Sequence, residues 1–140
     1  MNLIIKNDCI NVDWENVATI LEKVGLASFP SDVRKKAFEN SYVVVFIYDE
    51  VKLIGCGRAI SDGAYEAAIY DIAVKPEYQG KGVGRIIVQN IMQNLPDCNV
   101  ILFATPGKEA FYGKLNFRKM KTGMAVFRNP ERMHSKGFIE

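Results

Sequence analysis

Histidine is almost missing from this chain, with His134 alone among 140 residues. That scarcity excludes most chemistry that runs on imidazole pairs or on histidine-rich metal sites. A cysteine–histidine catalytic pair would have to use His134, which lies in a polar stretch beyond the last strand signal. Cysteine is scarce as well. Cys9, Cys56 and Cys98 are odd in number and widely spaced, so neither a disulfide framework nor a metal site is expected. A reducing compartment, the cytoplasm, is the simplest expectation. No apolar run approaches the roughly 20 residues of a membrane-spanning helix, and no signal peptide is visible at the N-terminus. An excess of one charge is also lacking. The 18 Lys and Arg residues are scattered among 16 Asp and Glu, for a net +2, so neither nucleic acid nor a membrane is expected as a partner. The densest basic cluster, Arg34-Lys35-Lys36, reads as a solvated helix face.

What remains is an ordinary globular composition. Hydrophobic residues make up 49% and charged residues 24%, enough to build a core at a one-domain length. Leu3 to Ile5 reads as an edge strand. Asp13 is placed to cap a helix in which Trp14, Val17, Ala18, Leu21 and Val24 recur at helical spacing, with Gly25 ending it. Ser31 is placed to cap a second helix through Phe38. Tyr42 to Tyr48, Lys52 to Ile60 and Ala67 to Val74 read as a three-strand meander, with Gly55 and Gly57 marking a bulge or a close approach. A helix is expected from Gly82 to Leu95, a buried strand from Asn99 to Ala104, and a short helix from Lys108 to Leu115. Two terminal strands are expected at Arg118 to Met120 and Met124 to Phe127, then a polar tail over residues 129–140. Strands grouped with helices on both sides give an α+β three-layer domain over residues 1–128.

The most informative segment is Gln79-Gly80-Lys81-Gly82-Val83-Gly84, between a strand and a helix. A glycine turn opening a helix points unpaired N–H groups and the positive end of the helix dipole at one spot, which suits a phosphate or pyrophosphate. A nucleotide-triphosphatase loop is a poor match, because Gly80-Lys81 is followed by Gly82 and not by Ser or Thr. A dinucleotide fingerprint is weak, because Arg85 stands where the third glycine belongs. The pattern Gln/Arg-x-x-Gly-x-Gly/Ala matches in full at Gln79, Gly82 and Gly84, after Ala73-Val74-Lys75-Pro76. A glycine-rich surface turn with no ligand is the bland alternative.

This segment resembles the GCN5-related N-acetyltransferase (GNAT) family, which binds acetyl-coenzyme A. Downstream, Phe111-Tyr112-Gly113-Lys114-Leu115-Asn116-Phe117 is similar to that family's Phe-Tyr-x-x-x-Gly-Phe motif, with Asn116 in place of the glycine. Asn tolerates a left-handed backbone, so a helix-ending turn survives the change. The resemblance runs from Ile69 to Phe127. It implies the three-layer acetyltransferase fold, with a mixed, mostly antiparallel sheet. It also implies that Ile72, Ala73 and Val74 contact the acetyl and pantetheine groups, and that Gln79, Gly80, Lys81, Gly82, Val83 and Gly84 hold the pyrophosphate. Arg85 adds charge and Phe111 packs beside the cofactor.

The reaction implied is acetyl transfer to an amine within a ternary complex, with no metal and no covalent enzyme intermediate. An alkyl amine of pKa about 10.4 is almost wholly protonated at neutral pH, so a base or a water chain must take its proton. Asp71 and Glu66 are the candidate bases, with a salt bridge as the plain alternative for Asp71. Strand alternation places Asp71 on one face with Ile69 and Ala73, and Tyr70, Ile72 and Val74 on the other. Tyr112 matches the family tyrosine that donates to the leaving thiolate. Acceptor-pocket positions correspond to Phe29, Tyr42, Arg58, Ser61 and Tyr65, which suit a small amine, an amino sugar or a peptide terminus. Tyr70-Asp71-Ile72-Ala73-Val74 is similar to the matching strand of glucosamine-phosphate acetyltransferases, although no set of groups for a sugar phosphate is evident. Homodimers are common in the family, and a homodimer is expected here. The alternatives in other classes are a non-catalytic coenzyme A sensor and an RNA-associated or protein-interaction module.

Overall fold

Long apolar runs in the first hundred residues build a sheet that is covered on both faces. The computed structural model describes residues 1–140, which divide into two compact units, Met1–Leu102 and Phe103–Glu140. The first unit holds a five-stranded sheet in the order β1-β2-β3-β4-β5. β1 (Leu3–Lys6) is an edge strand, antiparallel to β2 (Val43–Asp49). β2, β3 (Lys52–Ser61) and β4 (Glu66–Val74) form the antiparallel meander, and β5 (Asn99–Ile101) runs parallel to β4. Val43 through Ile47 are all buried. A strand buried on both faces reads as an unbroken apolar run.

Helices lie on both faces. α1 (Trp14–Lys23) is capped by Asp13, whose carboxylate accepts from the Asn16 N–H at 3.2 Å. α2 (Ser31–Glu39) begins differently from expectation. Pro30 occupies the cap position, because its fixed extended backbone ends the preceding loop. Ser31 lies inside the helix, and its hydroxyl donates to Glu15 at 2.6 Å. One core cluster joins Val17, Ile20 and Leu21 of α1 and Phe38 of α2 to Val44, Phe46, Cys56 and Ala73 of the sheet. Within it Phe38 stacks on Phe46 with centroids 5.5 Å apart, and Trp14 meets both rings. Burying each such side chain contributes roughly 1.5–3 kcal/mol. α3 (Val83–Gln93) covers the opposite face and packs on β2, β3 and β4 through Val83, Ile87 and Ile91.

The second unit contains α4 (Glu109–Gly113) and α5 (Pro130–Ser135). Phe103 meets Phe127 and Phe138 edge-on, with centroids 5.5 and 5.8 Å apart. Three expectations are corrected here. The strand expected over residues 99–104 stops at Ile101 and is not buried. Residues 118–128 form no strands; Met124 and Val126 are 96% and 87% exposed, and strand propensity without a pairing partner does not hold a strand. The polar end of the chain carries α5, whose cap Asn129 accepts from the Arg132 N–H at 3.1 Å.

Candidate functional site

The short length of β5 opens the site. β4 pairs with β5 only through Glu66–Asn99, Ala67–Val100 and Ala68–Ile101. From Ile69 to Val74 that edge of β4 has no strand beside it. The Lys75 N–H donates across to Ile54 at 2.8 Å. By alternation, the main-chain groups of Val74 and Ile72 point the other way, toward the open edge. The Gln79 amide folds back and donates to the Val74 carbonyl at 3.0 Å, which ties the following loop to the strand end.

A bulge interrupts β4 just before this edge. Cys56 pairs with Ala73 and Arg58 with Tyr70, so Asp71 and Ile72 together oppose Gly57. Asp71 takes φ of 60°, a left-handed value that Asp tolerates better than most residues. The expected alternation is therefore corrected: Tyr70 and Asp71 both reach Arg58, with the guanidinium 5.3 Å from the Tyr70 ring centroid. Ile72 is thrown across Gly57, where an added Cβ would lie 2.6 Å from the Ile72 Cδ1. Gly57 is thus the close approach that its glycine announced.

The loop after β4 is a short 3₁₀ turn, Pro76–Tyr78, followed by two left-handed glycines. Gly80 and Gly82 have φ of 75° and 86°, and a Cβ on either would meet no atom within 4 Å. Backbone conformation, not crowding, requires glycine at both. Gly82 is the N-cap of α3 and offers no side chain, and the first intrahelical bond is Ile86 N–H to Gly82. The N–H groups of Val83, Gly84 and Arg85 therefore have no partner within the helix. The Val83 side chain points into the core at 1% exposure, so only its main chain faces outward. Lys81 and Arg85 are exposed beside the turn. Below the turn the Tyr78 hydroxyl donates to Asp49 at 2.8 Å; this bond lowers the Asp49 pKa and raises that of Tyr78.

Asp71 is fully engaged. Its Oδ2 accepts from Arg58 Nε at 2.6 Å and its Oδ1 from Arg34 Nη1 at 3.3 Å. Arg34 also donates to the Ala27 carbonyl, and its guanidinium lies 5.0 Å from the Phe29 ring centroid. Arg58 donates further to Ser41 at 3.3 Å. Arg34 is only 5% exposed, whereas Lys35 and Lys36 are in solvent, so the basic trio is not a uniform solvated face. Burial pulls the Arg34 pKa below its ordinary value, and Asp71 opposes that shift. Sequence reasoning missed Arg34. Its signal was spacing: it stands four residues before Phe38, on the same buried stripe.

Four candidates lie elsewhere. Glu66, Ser61 and Tyr65 gather at the far end of β4; Glu66 accepts from Asn99 at 3.0 Å, and Ser61 donates to the Glu66 carbonyl at 2.8 Å. Glu66 is about 16 Å along the strand from Asp71. Tyr42 is exposed near the same end, over Gly63. Cys56 is fully buried and its thiol is pushed upward by burial, which suits packing and not nucleophilic attack.

In the second unit, Tyr112 is held by the turn that ends α4. Phe117 N–H donates to the Tyr112 carbonyl at 3.1 Å and Asn116 N–H to Gly113 at 3.2 Å, with Asn116 at φ of 73°. These are the two bonds of a Schellman turn, and Asn116 fills the place usually taken by glycine. Phe111 and Phe117 lie edge-on to the Tyr112 ring at 4.9 and 5.8 Å. Burial raises the Tyr112 pKa, so its hydroxyl keeps its proton at neutral pH.

The main-chain edge at Ile72 and Val74, the open glycine turn and the uncapped start of α3 follow one another along the chain. An extended arm joined to a diphosphate, as in acetyl-coenzyme A, fits the residues present. No group of three His, Cys, Asp or Glu side chains is placed to hold a metal ion, and no helix is long and apolar enough to cross a membrane.

Comparisons with known proteins agree with that geometry. Residues 40–119 match the family model described as the acetyltransferase (GNAT) domain. An uncharacterized N-acetyltransferase ycf52 of Pyropia yezoensis is 30% identical over 121 residues, covering 81% of this chain and 70% of that protein. Histone acetyltransferase TAP1 of Glycine max is 30% identical over 128 residues, but this chain spans only 55% of its length. A probable acetyltransferase of unknown function from meticillin-resistant Staphylococcus aureus superposes with a TM-score of 0.80 at 27% identity, over 89% of this chain and 98% of that one.

Proposed function

The chain belongs to the GNAT acetyltransferases, and from that premise we propose that it moves acetyl from acetyl-coenzyme A to a primary amine of a small molecule or peptide, by direct attack with both substrates bound. The observation that carries this reading is the open edge of β4 leading without a break into the left-handed glycines and the start of α3.

Bound acetyl-coenzyme A supplies an activated thioester carbonyl for the amine to attack. The chain's own groups do the rest. Ile72 and Val74 main-chain atoms hold the extended arm as a further strand would be held. The N–H groups from Gly80 to Arg85 receive the diphosphate, with Lys81 and Arg85 adding positive charge. The resemblance to the family motif assigns Tyr112 as the hydroxyl donor to the leaving sulfur. Full proton transfer from a phenol near pKa 10 to the thiolate of a thiol near 8.5 runs about 2 kcal/mol uphill, so hydrogen bonding to sulfur is the larger part of its role. Both Asp71 oxygens are committed to guanidinium groups. We therefore assign Asp71 to positioning, and the amine's proton to a water path.

Calorimetric titration with acetyl-coenzyme A, followed by thiol release across a panel of amines, tests the reading. Binding with turnover on at least one amine supports it. Absence of binding at millimolar ligand overturns it, and binding without turnover on any amine reduces the protein to a coenzyme A sensor.

A further inference from the structure

We propose that Arg34 is a positioning residue, which latches the connection between α1 and α2 to the bulge of β4 and so sets the affinity for the acyl donor without touching it. The inference rests on reading the β4 edge as the donor site.

The latch is a continuous set of bonds. Arg34 grips the Ala27 carbonyl on one side and Asp71 on the other, while Phe29 packs over its guanidinium at 5.0 Å. Asp71 is the left-handed residue of the bulge, and Arg58 of β3 takes its second oxygen at 2.6 Å. Ile72 follows directly. Removing the bulge would slip the strand by one residue, and every main-chain group beyond it would exchange edges. Ile72 would then turn its N–H and carbonyl toward β3 and away from the ligand.

The burial of Arg34 makes the case independently. It is 5% exposed, and its Nε is buried with no hydrogen-bond partner. A buried guanidinium with an orphaned donor is costly to hold. A buried ion pair is a weak source of stability, and its best-attested use is to select one arrangement among several. Here the arrangement selected is the bulge that presents Ile72. The pairing also reaches the acceptor side, because Phe29, which packs over Arg34, is among the positions that the resemblance assigns to the acceptor pocket.

The test compares wild type with Arg34→Met and Arg34→Lys, reading the Kd of coenzyme A by calorimetry beside Tm. Val17→Ala, a core change under α1, serves as a control for simple destabilisation. The expected result is a Kd about tenfold weaker in Arg34→Met and a smaller loss in Arg34→Lys, with Val17→Ala lowering Tm but not affinity. Should Arg34→Met fail to fold, Arg34→Lys carries the same comparison. A Kd within twofold of wild type in the folded Arg34 variants overturns the latch and leaves the donor site standing. Equal weakening in Val17→Ala at matched loss of Tm also overturns it. Failure of wild type to bind coenzyme A removes the donor site itself, and the latch with it.

Discussion

Replacing Gly57 by alanine is the sharpest probe of the bulge. A Cβ there would lie 2.6 Å from Ile72 Cδ1, 2.7 Å from Ile87 Cγ2 and 3.2 Å from Ile91 Cδ1. Carbon atoms pack at about 3.5–4.0 Å, so all three neighbours must move. Ile72 can rotate its terminal methyl outward. Ile87 and Ile91 are fully buried in the packing of α3 and cannot. Overpacking of this kind costs about 1–3 kcal/mol, offset by roughly 0.5–1 kcal/mol from replacing a strand glycine. With two immovable neighbours the cost lies in the upper half of that range, so the net loss is about 1–2 kcal/mol, a Tm drop of about 3–8 °C for a chain of this size. Any outward rotation of Ile72 also intrudes on the donor edge, so the Kd for coenzyme A should weaken by several-fold. Gly113→Ala is the matched control, since a Cβ there meets nothing within 4 Å and Gly113 has an ordinary backbone at the end of α4. Its Tm should hold or rise. Differential scanning fluorimetry and calorimetric titration read both quantities. If Gly57→Ala keeps both the Tm and the Kd of wild type, the close approach of Ile72 to β3 is wrong, and with it the account of the bulge.

Three further outcomes are expected. Gly82→Ala forces a side chain into a φ of 86° and into the open turn; about 1 kcal/mol of backbone strain and a more than tenfold weaker Kd for coenzyme A should follow, and an unchanged Kd would remove the turn from the binding site. Tyr112→Phe should lower kcat about a hundredfold while leaving the Kd for coenzyme A intact. Because burial raises the Tyr112 pKa, wild type should keep this donor beyond pH 10, and a difference absorbance titration of wild type against Tyr112→Phe should show a phenol ionising above that value; a kcat within threefold of wild type would assign the donor elsewhere. Asp62 accepts N–H bonds from Ala64, Tyr65 and Glu66, which lower its pKa. Its contribution to stability is present above the unfolded value of about 3.9 and is lost as pH falls through the folded value. The Tm gap between wild type and Asp62→Ala should therefore be widest at neutral pH and close in acid; a gap independent of pH would contradict the turn.

Local chemistry was readable where a few neighbouring residues decide the outcome. Asp13 before an amphipathic run, Gly82 before a helix, and Asn116 standing in for a glycine all act within one turn of themselves, and each adopts the expected backbone role. The left-handed backbone of the glycine turn was legible for the same reason. Features set by pairing were not. Asn99 to Ala104 has strand composition throughout, yet β5 ends at Ile101, because a strand lasts only as long as its partner stays alongside. That early end is what leaves β4 open beyond Ala68. Similarly, the strand signals at residues 118–120 and 124–127 depend on partners that local composition does not specify.

The bulge shows why the salt bridge weighed for Asp71 could not be given its partners from the sequence. Counting alternately from Ile69 assigns Asp71 to one face and Tyr70 to the other, and by that count an acid flanked by Ile69, Tyr70 and Ile72 needs either a partner or a functional role, with no partner named. The register shift brings Tyr70 and Asp71 together onto Arg58 and supplies Asp71 with a second partner from α2. Two clues were nevertheless present in the chain. Gly57 marks a place where β3 tolerates no side chain, and Asp71 is among the residue types that accept a left-handed backbone. Read together, a glycine on one strand opposite an aspartate on the next is the pattern of a built bulge. Arg34, four residues before Phe38 on the buried stripe of α2, is then the cation that such an aspartate requires.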